Sequence, residues 1–185
     1  TIRMAYASAA LDLAVKNTYG RVHHCINTGI GGHSSRLMLE RFEHDAEFYR
    51  PHLAIITVGG NDSLSETNKL SEEEFDANLR ELRRRFAEMG CAVVFQTYYA
   101  ADPAQIGAES VKKFNHYMGI IRKVAAETNS GLVDHNTRWE ALKKADNARY
   151  VSLMRDGLHV NWKGNLALGL DLAREFGVTC PIEDP

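Results

Sequence analysis

Asp156 and His159 stand three residues apart in "RDGLHVNWKGN", residues 155 to 165. On a tight loop that spacing lets the carboxylate accept a hydrogen bond from the imidazole Nδ1–H. Nε2 is then left to act as a general base. A second polar cluster closes "HLAIITVGGND", residues 52 to 62, where an apolar, β-branched run stops at two glycines, Asn61 and Asp62. A third, "NTGIGGHSS", residues 27 to 35, sets Asn27, Gly29, Gly31 and Gly32 between a strand-like run and a helical one. Glycines there allow a sharp turn and leave backbone N–H groups exposed. Phosphate binding and a plain strand-to-helix turn are both open to this run. Asn27-x-Gly29-x-x-Gly32 lacks the first glycine of a dinucleotide fingerprint, and no lysine follows as in a P-loop.

Short apolar runs alternate with helical patterns along the chain. Helices are expected over residues 5–19, 34–49, 71–89, 110–128, about 137–145 and 162–176, and strands over 21–29, 52–58, 91–99 and 131–135. Leu37, Leu39, Phe42 and Phe48 are core candidates of the second helix. Phe75, Leu79, Leu82 and Phe86 recur at helical spacing in the third. Ser71-x-x-Glu74 and Thr137-x-x-Glu140 read as capping boxes, Asn161 as an N-cap, and Gly90 and Gly177 as helix ends. Residues 100–109 and 146–161 read as loops. The alternation predicts a parallel sheet covered by helices, with ligands at the carboxyl ends of its strands. Asn61, Tyr98, Tyr99 and "VDHNTR" fall at those ends.

The ordered set "NTGIGG", "GGND" and "DGLH" resembles the SGNH hydrolases, the GDSL esterase/lipase family, over nearly the whole chain. The resemblance implies an α/β fold, a three-layer α/β/α sandwich on a flavodoxin-like parallel sheet. It also implies a serine esterase that hydrolyses carboxylic esters, acyl or O-acetyl groups, through an acyl-enzyme. His159 is then the base and acid, Asp156 orients it, and the Gly32 N–H and Asn61 amide form the oxyanion hole. The family's Gly-Asp-Ser block does not occur in this sequence. It is expected, with the first strand and the nucleophile, just upstream of Thr1 of a single domain spanning 1–185. Ser8, Ser34, Ser35 and Ser63 are the internal alternatives. Arg36 occupies the last glycine position of a nucleophile elbow at Ser34, and Ser34 and Ser35 read better as helix caps.

The 185 residues are 44% hydrophobic and 25% charged with a net charge of −2, which fits one globular domain. Arg83–Arg85 lies in a helical pattern and reads as a solvated face, so no nucleic-acid partner is expected. No apolar run reaches the ~18 residues of a membrane span. No metal-ligand spacing is recognisable and no cofactor is expected. Three scattered cysteines lean toward a reducing, cytoplasmic setting, with Cys25 and Cys91 expected in the core. His33 is a candidate pocket residue, and Trp162 reads as a packing residue. The expected partner is a small-molecule ester. Oligomeric state is left open. Two other functions fit the pattern: a non-catalytic ligand- or carbohydrate-binding domain on the same fold, and a flavodoxin-like nucleotide binder.

Overall fold

The computed structural model describes Lys16, Gly20 and residues 24–178. Cys180, Ser8 and, apart from Lys16, the helix expected over 5–19 lie outside the described residues. The chain divides into two compact units, one of Gly32–Arg138 and one of Thr1–Gly31 with Trp139–Pro185.

The Gly32–Arg138 unit holds a three-stranded parallel sheet in the order β1-β2-β3: Leu53–Thr57, Ala92–Gln96 and Gly131–Val133. Leu53 pairs with Ala92 and Val94 with Gly131. Ala54, Ile56, Val93, Phe95 and Val133 are buried, so the β-branched runs put alternate side chains into the core. The crossovers are helical. After β1 come the short α3 (Gly60–Leu64) and the long α4 (Glu72–Glu88); after β2 come α5 (Pro103–Ile106) and α6 (Ala108–Glu127). The apolar stripe of α4 is buried at all four expected positions, Phe75, Leu79, Leu82 and Phe86. Ser71 caps it, its Oγ accepting the Glu74 N–H at 3.2 Å. The Glu74 carboxylate instead takes both Arg36 Nε and Nη2 at 2.7 Å. Arg84 and Arg85 pair with Glu81, and Arg83 donates to Ser130, so the arginine run is a paired surface.

Four expectations shift. Residues 34–49 form two short helices, α1 (Ser35–Glu40) and α2 (Phe42–Asp45), and a 3₁₀ turn, Glu47–Tyr49. The helix breaks at Arg41 (φ −105°, ψ 13°), and the turn leaves Phe48 78% exposed while Phe42 stays buried. Residues 24–30 form no strand. There the Asn27 Oδ1 accepts the Gly29 N–H at 2.9 Å, an Asx turn that competes with a sheet ladder. It leaves Cys25 exposed, whereas Cys91 is buried. The second capping box is displaced. α7 runs His135–Ala145, so Thr137 is inside it, and Asp134 accepts the Thr137 N–H and Oγ1–H. Helical residues also appear in the expected loops: α5, and in the other unit α8 (Asn147–Leu153).

In the unit containing Trp139–Pro185, α8 leads into a loop closed by an antiparallel bridge between Met154 and Val160. Asn161 then caps α9 (Trp162–Glu175), accepting the Lys163 and Gly164 N–H groups. The buried residues of α9 begin at Gly164. Trp162, one turn earlier, is 63% exposed and is no packing residue. Among the described residues no helix is long and apolar enough to cross a membrane.

Two outcomes test this fold. A Cβ on Gly164 would lie 2.4 Å from the Leu153 carbonyl oxygen and 2.6 Å from Val160 Cβ. Gly164→Ala should therefore cost roughly 1–3 kcal/mol or more in chemical denaturation, because backbone has to move; an unchanged midpoint would contradict the close approach. Asp134 is pushed up by burial, but Arg122 and Thr137 outweigh this and hold it well below its ordinary 3.8. A depressed folded value means stabilisation that is complete above the unfolded value and lost as pH falls through the folded one. Asp134→Asn should thus lower the melting temperature at neutral pH, with the gap to wild type closing below about pH 4. A gap independent of pH would deny the ion pair that role.

Candidate active site

Two polar constellations stand out, one in each unit. The first lies at the carboxyl end of β1. The strand stops at Val58, and Gly59 turns the chain at φ +113°. A Cβ there would meet Phe75, Met118 and Ile121 at 3.1–3.4 Å, so both the backbone sign and the packing require glycine. The turn opens α3, whose first residues are Gly60, Asn61 and Asp62. Tyr98 from the end of β2 packs on Gly60, its ring 3.1 Å from where a Cβ would sit. Tyr98 thus shields the strand end, and desolvation pushes its phenol up to about 12, with Asp62 adding to the shift.

Asp62 is fully buried. Its Oδ1 accepts the Ser35 N–H at 2.8 Å and the Ser35 hydroxyl at 2.5 Å, and its Oδ2 accepts the Gly59 N–H at 3.1 Å. Burial pushes this carboxyl above its ordinary value, while the Ser35 and Gly59 donors pull it back. The Asn78 amide donates to the Ser35 oxygen at 3.0 Å. This ties the start of α1 to the turn after β1 and brings Gly32 and Asn61 into one cluster. The Asn61 Nδ2 donates to the His33 carbonyl at 2.9 Å. Gly32, exposed and at φ +85°, offers an N–H that donates to no group among the described residues.

The internal serines do not look like nucleophiles. Ser34, Ser35 and Ser63 are 1%, 0% and 1% exposed. Ser35 is spent on Asp62 and Ser63 donates to the Gly60 carbonyl. Ser34 occupies the N-cap position of α1 without a side-chain cap bond.

A further buried network joins the ends of the other strands. The Gln96 amide donates to Thr57 Oγ1, so its oxygen accepts from His135 Nε2 at 2.9 Å. The Thr97 hydroxyl donates to Asp134 and accepts the Asn136 N–H. "VDHNTR" is thus a structural tie between β2, β3 and α7.

The second constellation is the 154–160 loop. Asp156 Oδ1 accepts the Leu158 N–H at 2.9 Å and the His159 N–H at 2.7 Å. His159 Nδ1 lies 2.9 Å from Oδ1 and 3.0 Å from Oδ2. With an ionised acceptor, Nδ1 carries the proton and Nε2 holds the lone pair. Arg155 donates through Nε and Nη2 to Oδ2 and through its backbone N–H to the His159 carbonyl. Burial raises Asp156, yet the Leu158 N–H, Arg155 and His159 outweigh it and hold the carboxylate well below the usual range. Sequence reasoning paired Asp156 with His159 but missed Arg155, Ser35 and Asn68. The last donates to the Gly32 carbonyl at 2.9 Å.

Each constellation by itself has a chemistry that ester hydrolysis uses: a carboxylate-held imidazole can transfer protons, and free N–H donors can receive an oxyanion. Among the described residues no group of three or more His, Cys, Asp or Glu could hold a metal ion. The comparisons agree with this chemistry. The chain is 26% identical over 160 residues to an acetylxylan esterase of Geobacillus stearothermophilus, covering 82% of this chain and 71% of that protein. The crystal structure of that organism's acetylxylan esterase Axe2 superposes with a TM-score of 0.81 at 21% identity, over 94% of this chain and 81% of that one. The acetyl xylan esterase AlAXEase does so with 0.78 at 23%, over 92% and 95%. The fold is therefore the α/β fold of the SGNH hydrolases. The profile of the GDSL-like lipase/acylhydrolase family matches residues 6–167, so the chain belongs to that family and is a carboxylic ester hydrolase.

Proposed function

We propose that the protein is a serine esterase that removes small acyl groups, O-acetyl esters of carbohydrates in the first place. His159 is the general base and acid, Asp156 its orienting partner, and the Gly32 N–H and Asn61 amide are the oxyanion donors. The observation that carries this is the Asp156–His159 pair, which fixes the tautomer that leaves Nε2 as base. The acetyl and carbohydrate preference is supported by the names of the related proteins, acetylxylan esterases.

In the first half-reaction Nε2 takes the proton of the serine hydroxyl as its oxygen bonds to the ester carbonyl carbon. The carbonyl π pair moves to the oxygen, where Gly32 N–H and the second Asn61 amide hydrogen receive it. Collapse breaks the C–O bond to the alcohol, and His159 returns the proton to that leaving oxygen. Water then repeats the sequence on the acyl-serine and releases the acid. Asp156 stays ionised throughout and balances the imidazolium charge. The serine is assigned by the family's chemistry, and the buried Ser34, Ser35 and Ser63 are not it. A fluorophosphonate label followed by peptide mapping tests this, and a label on Ser34, Ser35 or Ser63 would overturn it.

With p-nitrophenyl acetate, His159→Ala should lower kcat by several orders of magnitude and leave the melting temperature nearly unchanged. Retention of more than about a tenth of kcat would remove His159 from the base role. Asn61→Ala should lower kcat about 10²–10³-fold with little change in KM, since its donor engages the charge that develops in the transition state. A lower melting temperature with unchanged kcat would make Asn61 a turn residue. Rates on acetylated xylo-oligosaccharides above those on butyrate or longer p-nitrophenyl esters would support the substrate class, and the reverse order would reject it.

A further inference from the structure

We propose that Asn68 is a positioning residue of the oxyanion hole, holding the Gly32 carbonyl and so limiting the directions in which the Gly32 N–H, two torsions away, can face the reacting oxygen. This rests on Gly32 being an oxyanion donor.

Gly32 has little else to hold it. It is exposed, and a Cβ built on it would find nothing within 4 Å. Its φ of +85° lies where glycine moves with almost no steric penalty. A donor at such a site is a poor electrostatic catalyst unless its direction is fixed beforehand, because a useful donor stays within a few tenths of an ångström and 10–20° or so of the productive geometry. Packing does not supply that restraint at Gly32.

Hydrogen bonds to two consecutive carbonyls do. Asn68 Nδ2 donates to the Gly32 carbonyl and Asn61 Nδ2 to the His33 carbonyl, each at 2.9 Å. The first bond fixes the plane of the Gly32–His33 peptide, from which the Gly32 N–H hangs by two torsions. Asn68 is itself anchored. Its N–H donates to Ser65 Oγ at 3.1 Å, the Ser65 N–H donates to the Asn61 carbonyl at 3.0 Å, and the Leu70 N–H donates to the Asp62 carbonyl at 2.9 Å. The turn that carries Asn68 is therefore tied at both ends to α3, the helix that presents Asn61. The two donors share one frame, and Asn68 is the arm that extends it to Gly32.

The experiment compares Asn68→Ala, Asn68→Asp and Asn61→Ala with wild type, using p-nitrophenyl acetate kinetics, phenylboronic acid inhibition and melting temperature. Boronate on the serine forms a tetrahedral adduct whose oxygen occupies the oxyanion position. Asn68→Ala should lower kcat about tenfold with KM unchanged and raise the boronate Ki by a similar factor, a fraction of the 10²–10³-fold that full loss of a donor causes. Asn68→Asp, similar in shape but without the amide donor, should do at least as much. Neither should shift the melting temperature appreciably, because the Asn68–Gly32 bond is exposed. If Asn61→Ala is inactive while both Asn68 variants keep more than half of kcat, the positioning role is wrong and the hole stands. If the Asn68 variants raise KM alone, Asn68 contacts substrate and the proposal is likewise overturned. Full kcat in Asn61→Ala removes Asn61 from the hole and leaves the Asn68 outcome to be read on Gly32 alone.

Discussion

The buried carboxylate of Asp62 is the constraint on which the strand-end cluster rests. An ionised carboxylate taken out of water costs several kcal/mol unless its lone pairs are filled. Here they are filled by Ser35 N–H, Ser35 O–H and Gly59 N–H, donors of which two belong to backbone that would otherwise be unsatisfied at a helix start and a turn. Charge-assisted bonds of this kind contribute about 1.5–3 kcal/mol each. The consequence is topological. Ser35 and Gly59 belong to segments 24 residues apart in sequence, and Asp62 makes their separation a fixed distance. Everything proposed for Gly32 and Asn61 presupposes that distance, because the two donors sit on the two segments so joined.

The loop that carries His159 uses the same device with a different exposure. Asp156 also accepts two backbone N–H groups, from Leu158 and His159, so the residue that orients the imidazole first shapes the turn that presents it. Its side chain is 42% exposed, and water shares in screening its charge, so the ion pair with Arg155, two N–H groups on one oxygen, adds less than it would in a dry site. Its weight lies in direction. Arg155 occupies Oδ2, while its N–H holds the His159 carbonyl. Asp156 and His159 are thereby fixed to each other at both main chain and side chain before any substrate is present.

The sequence carried much of this, and for identifiable reasons. α4 was legible because Phe75, Leu79, Leu82 and Phe86 repeat at one spacing and all face the core. Asp156–His159 was legible because its partners are three residues apart, within reach of one turn. Phe48 was misread because its spacing from Phe42 presumes a continuous helix, whereas the helix stops at Asp45 and Ala46 (φ −126°, ψ −58°) redirects the chain with no proline or glycine to mark the break. Thr137 was misread because Asp134, one residue after β3, is the stronger cap, being held by Arg122 from α6. The bonds Asp62–Ser35 and Asn68–Gly32 span 27 and 36 residues. No local pattern encodes such pairs; they exist only once the chain from the start of α1 through β1 has folded back so that α3 and the turn after it meet residues 32–35.

Why asparagine at position 61 follows from counting hydrogens. Under the proposed mechanism the strand end has two demands on one side chain: a donor to the His33 carbonyl, which holds the glycine-rich loop, and a donor toward the charge that forms on a substrate oxygen. A hydroxyl has one hydrogen and could meet one demand at a time. An aspartate has none when ionised and would repel both oxygens. A lysine has three, but its long stem and full charge would require far more desolvation at a half-buried strand end. A carboxamide on a single methylene offers two N–H bonds in one plane, about 120° apart. One hydrogen is committed to His33 at 2.9 Å, which immobilises the plane of the amide and hence the direction of the other. The bond that looks like an ordinary turn contact is thus what would preorganise the remaining hydrogen, and the structural use of Asn61 and the catalytic use proposed for it are two ends of one rigid group.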